Sequence, residues 1–355
     1  MLTNKSRSKI GSVLAIIALV FASFQLIPSG NAASNVVKIG QRCSVEGKWI
    51  GTLICSNSGA GFAWALGVKK GAAADKINFA TVPIAGTAAV YVGNTAGYFK
   101  NANVDLSIVN ATSFANIVPL VVNGSNQFGT VSLATAAAAI IQGLPIKIVA
   151  NTYFFNGEQQ LMSLTSGKVK TVADLAGKTI GLGALNNNFQ AGIITQMKTA
   201  GVNISTVKFV LLPAGNLAAA LRAGTVDAAQ INEPDIAGAG DTFTAIMSQP
   251  FQPFGLHAAN NYVIVNTNWA SKNKALVDRF VAAYNLGADR AASDLEAVVA
   301  AVASYSTIPP ETLRQMNLPG YGSALQKGSY TQTITKMFAL GYLSRNVSWK
   351  EAFYY

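Results

Sequence analysis

Residues 76–108 read KINFATVPIAGTAAVYVGNTAGYFKNANVDLSI, and the pattern in this stretch decides the fold class. Residues 76–82 are rich in β-branched and aromatic side chains and stop at Pro83, as a strand does. Residues 87–99 read as a helix. Val104, Leu106 and Ile108 then alternate with polar residues like a half-buried strand.

The same alternation continues outward. Residues 113–122 are helical, with Ser113 as cap, Gly124 as stop and Pro119 as a point where the helix shortens or kinks. Residues 127–132 predict a strand, 135–142 a helix and 146–150 a strand. Such alternation implies a mostly parallel sheet covered on both faces. Near Glu158 the pattern starts again. Residues 161–164 read as a strand leading out of a first lobe, and Thr171-Val172-Ala173-Asp174 is a capping pattern before a short helix. Strands over 178–182, 207–212 and 226–231 interleave with helices over 189–200 and 216–223. A strand over 262–266 returns to the first lobe, followed by helices over 275–291 and 330–340 and a break at Pro309-Pro310. The expected organisation is therefore α/β with two lobes, 75–164 plus 258–355 and 165–257. Crossings near 158–168 and 255–262 imply a hinge.

Composition agrees with a packed α/β protein. Of 355 residues, half are hydrophobic and only 12% charged. Lys5, Arg7 and Lys9 precede an apolar run over 10–27 and a small-residue exit at Gly30, Ala32 and Ala33, which together make a secretory signal peptide over 1–33. The competing reading is an uncleaved anchor. Removing the segment takes three basic residues and no acid, so the net charge falls from +11 to +8. The remaining basic residues form no Arg-rich stripe with interleaved aromatics, which excludes nucleic acid as a partner and leaves a solvated basic surface.

Residues 34–74 form a small preface. Short strands are expected over 36–39, 47–50 and 52–55, stapled by a disulfide between Cys43 and Cys55 that contributes about 2–3 kcal/mol in an exported chain. Residues 59–74, rich in Gly and Ala, read as a linker. No Leu-x-x-Cys lipid-attachment pattern follows the signal exit. Two thiols and one histidine, His257, make no usual zinc cage, so neither a metal nor a cofactor is expected.

Several segments, read together, resemble one family. They are Tyr91 with Gly97-Tyr98-Phe99 and Val104-Asp105-Leu106, then TVADLAGKTIG over 171–181, LRAGTVDA over 221–228, and Glu233-Pro234. The resemblance, over roughly residues 76–345, is to the ABC-importer substrate-binding proteins for nitrate, sulfonates, taurine and thiamine-pyrimidine precursors. It implies the type II periplasmic binding protein fold, one small-molecule ligand in the interlobe cleft, and delivery by a monomeric receptor to a permease in the cytoplasmic membrane. The location implied is periplasmic or cell-envelope. Gln127 departs from the pattern, standing where the family often has an acid.

Ligands of open α/β sheets lie beyond the carboxyl ends of the strands. That rule nominates Pro83, Gly86 and Thr87 after the first strand; Ser113 and Phe114 after the second; Ser132 and Thr135 after the third; and Tyr153 beyond the fourth. In the second lobe it nominates Asn187, Asn188 and Phe189, with Glu233 after a later strand. Each has a structural alternative. Ser113 and Thr135 cap helices, the asparagines suit turns, the aromatic rings suit the core, and Glu233 accepts hydrogen bonds beside Pro234. His257 reads as a surface or core histidine.

The hydroxyls suit an anion such as nitrate or a sulfonate, whereas Phe114, Tyr153, Phe189, Asn187 and Glu233 suit a flat heterocycle. No arginine stands near the expected cleft mouth, since Arg222 and Arg279 fall inside helices. The balance leans to an uncharged or weakly anionic aromatic compound. An enzyme resembling the thiamine-pyrimidine synthase would need a cofactor lysine, a reactive histidine and a cysteine cluster, which the sequence does not supply. A ligand-sensing module is the other alternative. Mass spectrometry of the exported protein is expected to place its N-terminus at Ala33 or Ser34; a chain retaining Met1 would establish the anchor instead.

Overall fold

The computed structural model describes residues 42, 44, 49–50, 53–57, 62–66, 73–255 and 258–355. Its first element is a small antiparallel sheet, β1 (Trp49–Ile50), β2 (Leu53–Asn57) and β3 (Phe62–Leu66), in the order β1-β2-β3. β3 lies in the stretch expected to be a linker. Phe62, Trp64 and Leu66 alternate with alanine there, a period-two pattern that the surrounding glycine and alanine hide. The strand expected over 36–39, Cys43 and therefore the Cys43–Cys55 pairing lie outside the described residues; Cys55 lies in β2.

Two five-stranded sheets follow. The first contains β4 (Asp75–Thr81), β5 (Val104–Asn110), β6 (Phe128–Ser132), β7 (Ile146–Phe154) and β13 (Ala259–Asn266), in the order β5-β4-β6-β13-β7. The second contains β8 (Gln159–Leu164), β9 (Thr179–Leu182), β10 (Lys208–Leu211), β11 (Ala228–Asn232) and β12 (Phe243–Met247), in the order β10-β9-β11-β8-β12. In the first sheet β4 pairs in parallel with β5 and β6, and only β13 runs against its neighbours. In the second, β9 pairs in parallel with β10 and β11, and only β8 is reversed. The reversed strands are the two that have just crossed from one sheet to the other. Because the chain leaves each sheet at the cleft edge, where the parallel strands end, the incoming strand must start at that edge and run the other way.

This geometry corrects the expected lobe boundary. β8 was expected to lead out of the first lobe, but it hydrogen-bonds to β11 and β12, so the first crossing occupies residues 155–158. β12 was not expected. It is a short edge strand whose middle residues are partly exposed, and it carries little periodic signal.

Local structure follows the chain's punctuation. The helix expected over 87–99 divides into α1 (Ala88–Thr95) and α2 (Tyr98–Asn101), because Gly97 adopts φ 76° between them. The Ser113 hydroxyl accepts a bond from Ala115 N ahead of α3 (Ile117–Val122). Pro119 stands in the first turn of α3, where its missing N–H costs nothing. Helix α4 (Leu133–Ile141) begins at Ser132, α5 (Asn188–Thr199) at Asn187, and α6 (Leu217–Arg222) follows β10. A short α7 (Asp235–Ala239) follows β11, and a one-turn α8 (Thr267–Ala270) follows β13.

The long helix α9 (Lys274–Ser293) packs on α1 and α2. Its Phe280 stacks on Phe128 of β6 with ring centroids 3.8 Å apart and also touches Phe79, Phe99 and Tyr284, making one buried aromatic cluster. Arg279, on the same helix, pairs with Asp75 and donates to the carbonyls of Ala102 and Asn103. Phe280→Ala is expected to cost about 3–5 kcal/mol, read as a lowered urea midpoint with an unchanged slope; a loss below about 1 kcal/mol would show that the cluster closes without that ring.

Candidate functional site

The carboxyl ends of the parallel strands in both sheets meet across one cleft. Direct hydrogen bonds join its sides, among them Ala85 N to Glu233 O (2.8 Å), Ala214 N to Thr112 O (3.1 Å), Ser113 Oγ to Gly183 O (2.9 Å), and Asn188 Nδ2 to Asn260 Oδ1 (3.3 Å). Between them lie two hollows. The larger, about 470 Å³, is lined by the turns after β4 (Val82, Pro83, Ile84), β5 (Asn110 to Thr112), β10 (Pro213 to Asn216) and β11 (Asn232 to Asp235), together with Tyr305 to Ile308. The smaller, about 10 Å³, has room for roughly one water. Phe114, Ser132, Thr135, Gln159, Ala184, Asn187, Asn188, Phe189, Gln230, Asn260 and Asn261 surround it.

Of the nominated residues, Pro83 and Glu233 line the larger hollow, and Phe114, Ser132, Thr135, Asn187, Asn188 and Phe189 surround the smaller. Gly86, Thr87, Ser113 and Tyr153 line neither. Tyr153, expected at a wet rim, is fully buried, with its hydroxyl 2.6 Å from Gln159 Nε2. Gly86 lies against that ring, and a Cβ there would stand 2.5 Å from it. The Thr87 hydroxyl donates to Val82 O and Ile84 O and closes the turn after β4.

Capping engages several of the others. Ser132 Oγ accepts from Thr135 N and lies 2.8 Å from Thr135 Oγ1, while Asn187 Oδ1 accepts from Gln190 N. Asn186 takes the left-handed φ of 56° that suits a turn asparagine. Phe189 is buried edge-on against Phe251. Glu233 Oε1 accepts from Asn317 N and Nδ2, and Oε2 accepts from Ala237 N, so its carboxylate serves the framework.

A family model described as NMT1/THI5 like matches residues 85–297. The chain belongs to this family. No curated protein matches it in sequence. Among solved structures, the alkanesulfonate-binding protein SsuA of Xanthomonas axonopodis pv. citri, bound to MOPS, superposes with TM-score 0.65 at 15% identity, covering 80% of this chain and 99% of its own. The nitrate-binding protein NrtA of Synechocystis PCC 6803 gives 0.63 at 12% identity, covering 79% and 84%. A zinc-bound ligand-binding component of an ABC-type import system from Staphylococcus aureus gives 0.67 at 12% identity, covering 79% and 96%. At these identities the shared feature is the two-lobed periplasmic binding protein fold.

In this NMT1/THI5-like chain the reversed strands add cleft residues that the strand-end rule missed. Gln159 opens β8 and Asn260 and Asn261 stand near the start of β13, and all three are buried around the smaller hollow; Glu158, just before β8, is buried at the crossing and lines neither hollow. Polar pairs at the start of a returning strand are the signal that could have found them, because a reversed strand presents its amino end to the cleft. Burial pushes the Glu158 carboxyl up to about 8, and the nearby Glu233 charge adds to the rise; bonds from Asn156 N (2.7 Å) and Asn260 Nδ2 (3.5 Å) offset part of it. Burial also raises Glu233 and Asp235. Arg222 lies over the Phe243 ring and Arg279 is held by Asp75, so neither lines a hollow. Among the described residues no group of three or more His, Cys, Asp or Glu side chains could hold a metal ion. His257 lies outside them.

A carboxyl whose pKa is higher folded than unfolded keeps its proton in the native state between the two values, so its contribution to stability falls as pH rises through that window. For Glu158 the window runs from about 4.5 to about 8. The wild-type unfolding free energy is expected to rise on acidification from pH 8 to pH 5.5, by up to about 1.4 kcal/mol per pH unit from this group, read as a higher melting temperature. Glu158→Gln should flatten the profile; an equally steep variant would place the titration elsewhere.

Proposed function

We propose that this protein is an extracytoplasmic solute-binding receptor that captures one small molecule in the interlobe cleft and delivers it, unchanged, to the permease of an ABC importer. The observation that carries the reading is the cleft itself. Two sheets present their strand ends to a common hollow of about 470 Å³, within the size range of small-molecule sites, and among the described strands the chain passes between the sheets twice. Few crossings and direct cleft bonds give a body that can open and close like a clamp.

Membership of the NMT1/THI5-like family and the fold shared with sulfonate- and nitrate-binding proteins support the same reading. Among the described residues no helix is long and apolar enough to cross a membrane. The receptor acts as a monomer of two lobes. One is built on residues 75–154 and 259–355, the other on about 159–247. Of the two ligand classes weighed from the sequence, the heterocycle fits this cleft better than the anion, because no guanidinium faces either hollow and a buried anion beside Glu233 would cost several kcal/mol.

The mature protein is to be screened by thermal shift against nitrate, taurine, alkyl and aryl sulfonates, pyrimidines and flavins. A bound solute at one hundred times its dissociation constant should stabilise it by about 2.7 kcal/mol and reduce its radius of gyration in solution scattering. Recovery of a chemically altered solute would replace the transport reading with an enzymatic one.

A further inference from the structure

The larger hollow reverses the charge balance of the chain. The sequence carries 26 Lys and Arg against 15 Asp and Glu, yet none of the eighteen residues around the hollow is basic and two, Glu233 and Asp235, are acidic. The two acids stand differently. Both carboxylate oxygens of Glu233 accept framework bonds. The Asp235 carboxylate, on a half-buried residue, has no hydrogen-bond or ion-pair partner among the described residues, and Arg222, whose charge reaches it, remains over Phe243 without pairing to it.

The groups facing the same hollow extend the pattern. The side chains of Thr112 and Thr307 on one side and Asn216 on the other are exposed and make no hydrogen bond of their own among the described residues. All three offer acceptor oxygens. When the cleft closes over a solute, the remaining water leaves Asp235. A carboxylate dried without a partner is costly, and a neutral N–H donor leaves its charge uncompensated. A protonated nitrogen compensates the charge, and its other N–H groups can reach the surrounding oxygens.

We propose that the larger hollow takes a solute presenting a protonated nitrogen to Asp235 and turns away anions of the nitrate and sulfonate kind. This deepens the receptor reading above and rests on it. It also departs from the uncharged or weakly anionic cargo to which the sequence leans.

The sign of the field in the hollow can be measured without knowing the cargo. Thr307→Cys and Asn216→Cys place a thiol on either side, each at an exposed position, so either variant serves if the other folds poorly. Each full-length mature variant is treated with methanethiosulfonate reagents bearing a trimethylammonium or a sulfonate tail. Modification is followed at the introduced residue by peptide mass mapping, which keeps Cys43 and Cys55 out of the reading, and each rate is divided by that of 2-mercaptoethanol. The cationic reagent is expected to react about tenfold faster or more at low ionic strength, as for clefts lined by one sign of charge. Adding Asp235→Asn should bring the ratio to within about twofold of one. A ratio at or below one in both variants, or one that Asp235→Asn leaves unchanged, overturns the proposal. That result leaves the receptor reading standing, since lobe closure judges it separately; a chain that prefers the cationic reagent but closes on no solute fails as a receptor.

Discussion

Both sheets end at one shared edge, and the chain can pass between them only there. A strand that begins where its neighbours finish has to run against them, which is why β8 and β13 are the reversed members of their sheets. The same constraint brings four kinds of group together: the turns after the parallel strands, the starts of the reversed strands, the helices opened by those turns, and the two crossings. The cleft is therefore a consequence of connectivity before any side chain is considered.

Glu233 shows how closely the framework and the cleft are joined. Its N–H donates to Glu158 O at the first crossing, its carbonyl accepts from Ala85 in the turn after β4, and its carboxylate accepts from Asn317 near the end of the chain. One residue at the end of β11 thus holds both sides of the cleft and one of its crossings. Glu158, buried at that crossing, is kept toward its neutral form by the lack of water around it. Many polar groups in the cleft work in this way. Ser132, Asn187 and Thr87 satisfy backbone groups at helix starts or turns, a need that exists with or without a ligand.

The polar groups left over are more informative than those engaged. The chain carries an excess of basic residues, yet none lines the larger hollow, so overall basicity and cleft chemistry answer different demands. Net charge governs solubility and long-range association. The sign inside a closing cleft governs which solute can be desolvated there.

Much of the architecture was legible from the sequence alone. Periodicity and punctuation located most strands and helices of both lobes, because an apolar repeat reports burial and a residue such as Gly97 or Ser113 reports a local backbone need. Elements with weak repeats escaped, as β12 and β3 did. The chemistry of the cleft was less legible. A serine reads the same whether it caps a helix or faces a solute, and Tyr153 gave no sign that its hydroxyl would meet Gln159 across five intervening residues. Strand order, strand direction and the meeting of turns distant in sequence belong to tertiary structure. They are set by where the chain crosses and by which faces exclude water, so the sequence by itself determined the two-lobed α/β class, and only the assembled cleft decided which polar groups are left without a framework partner.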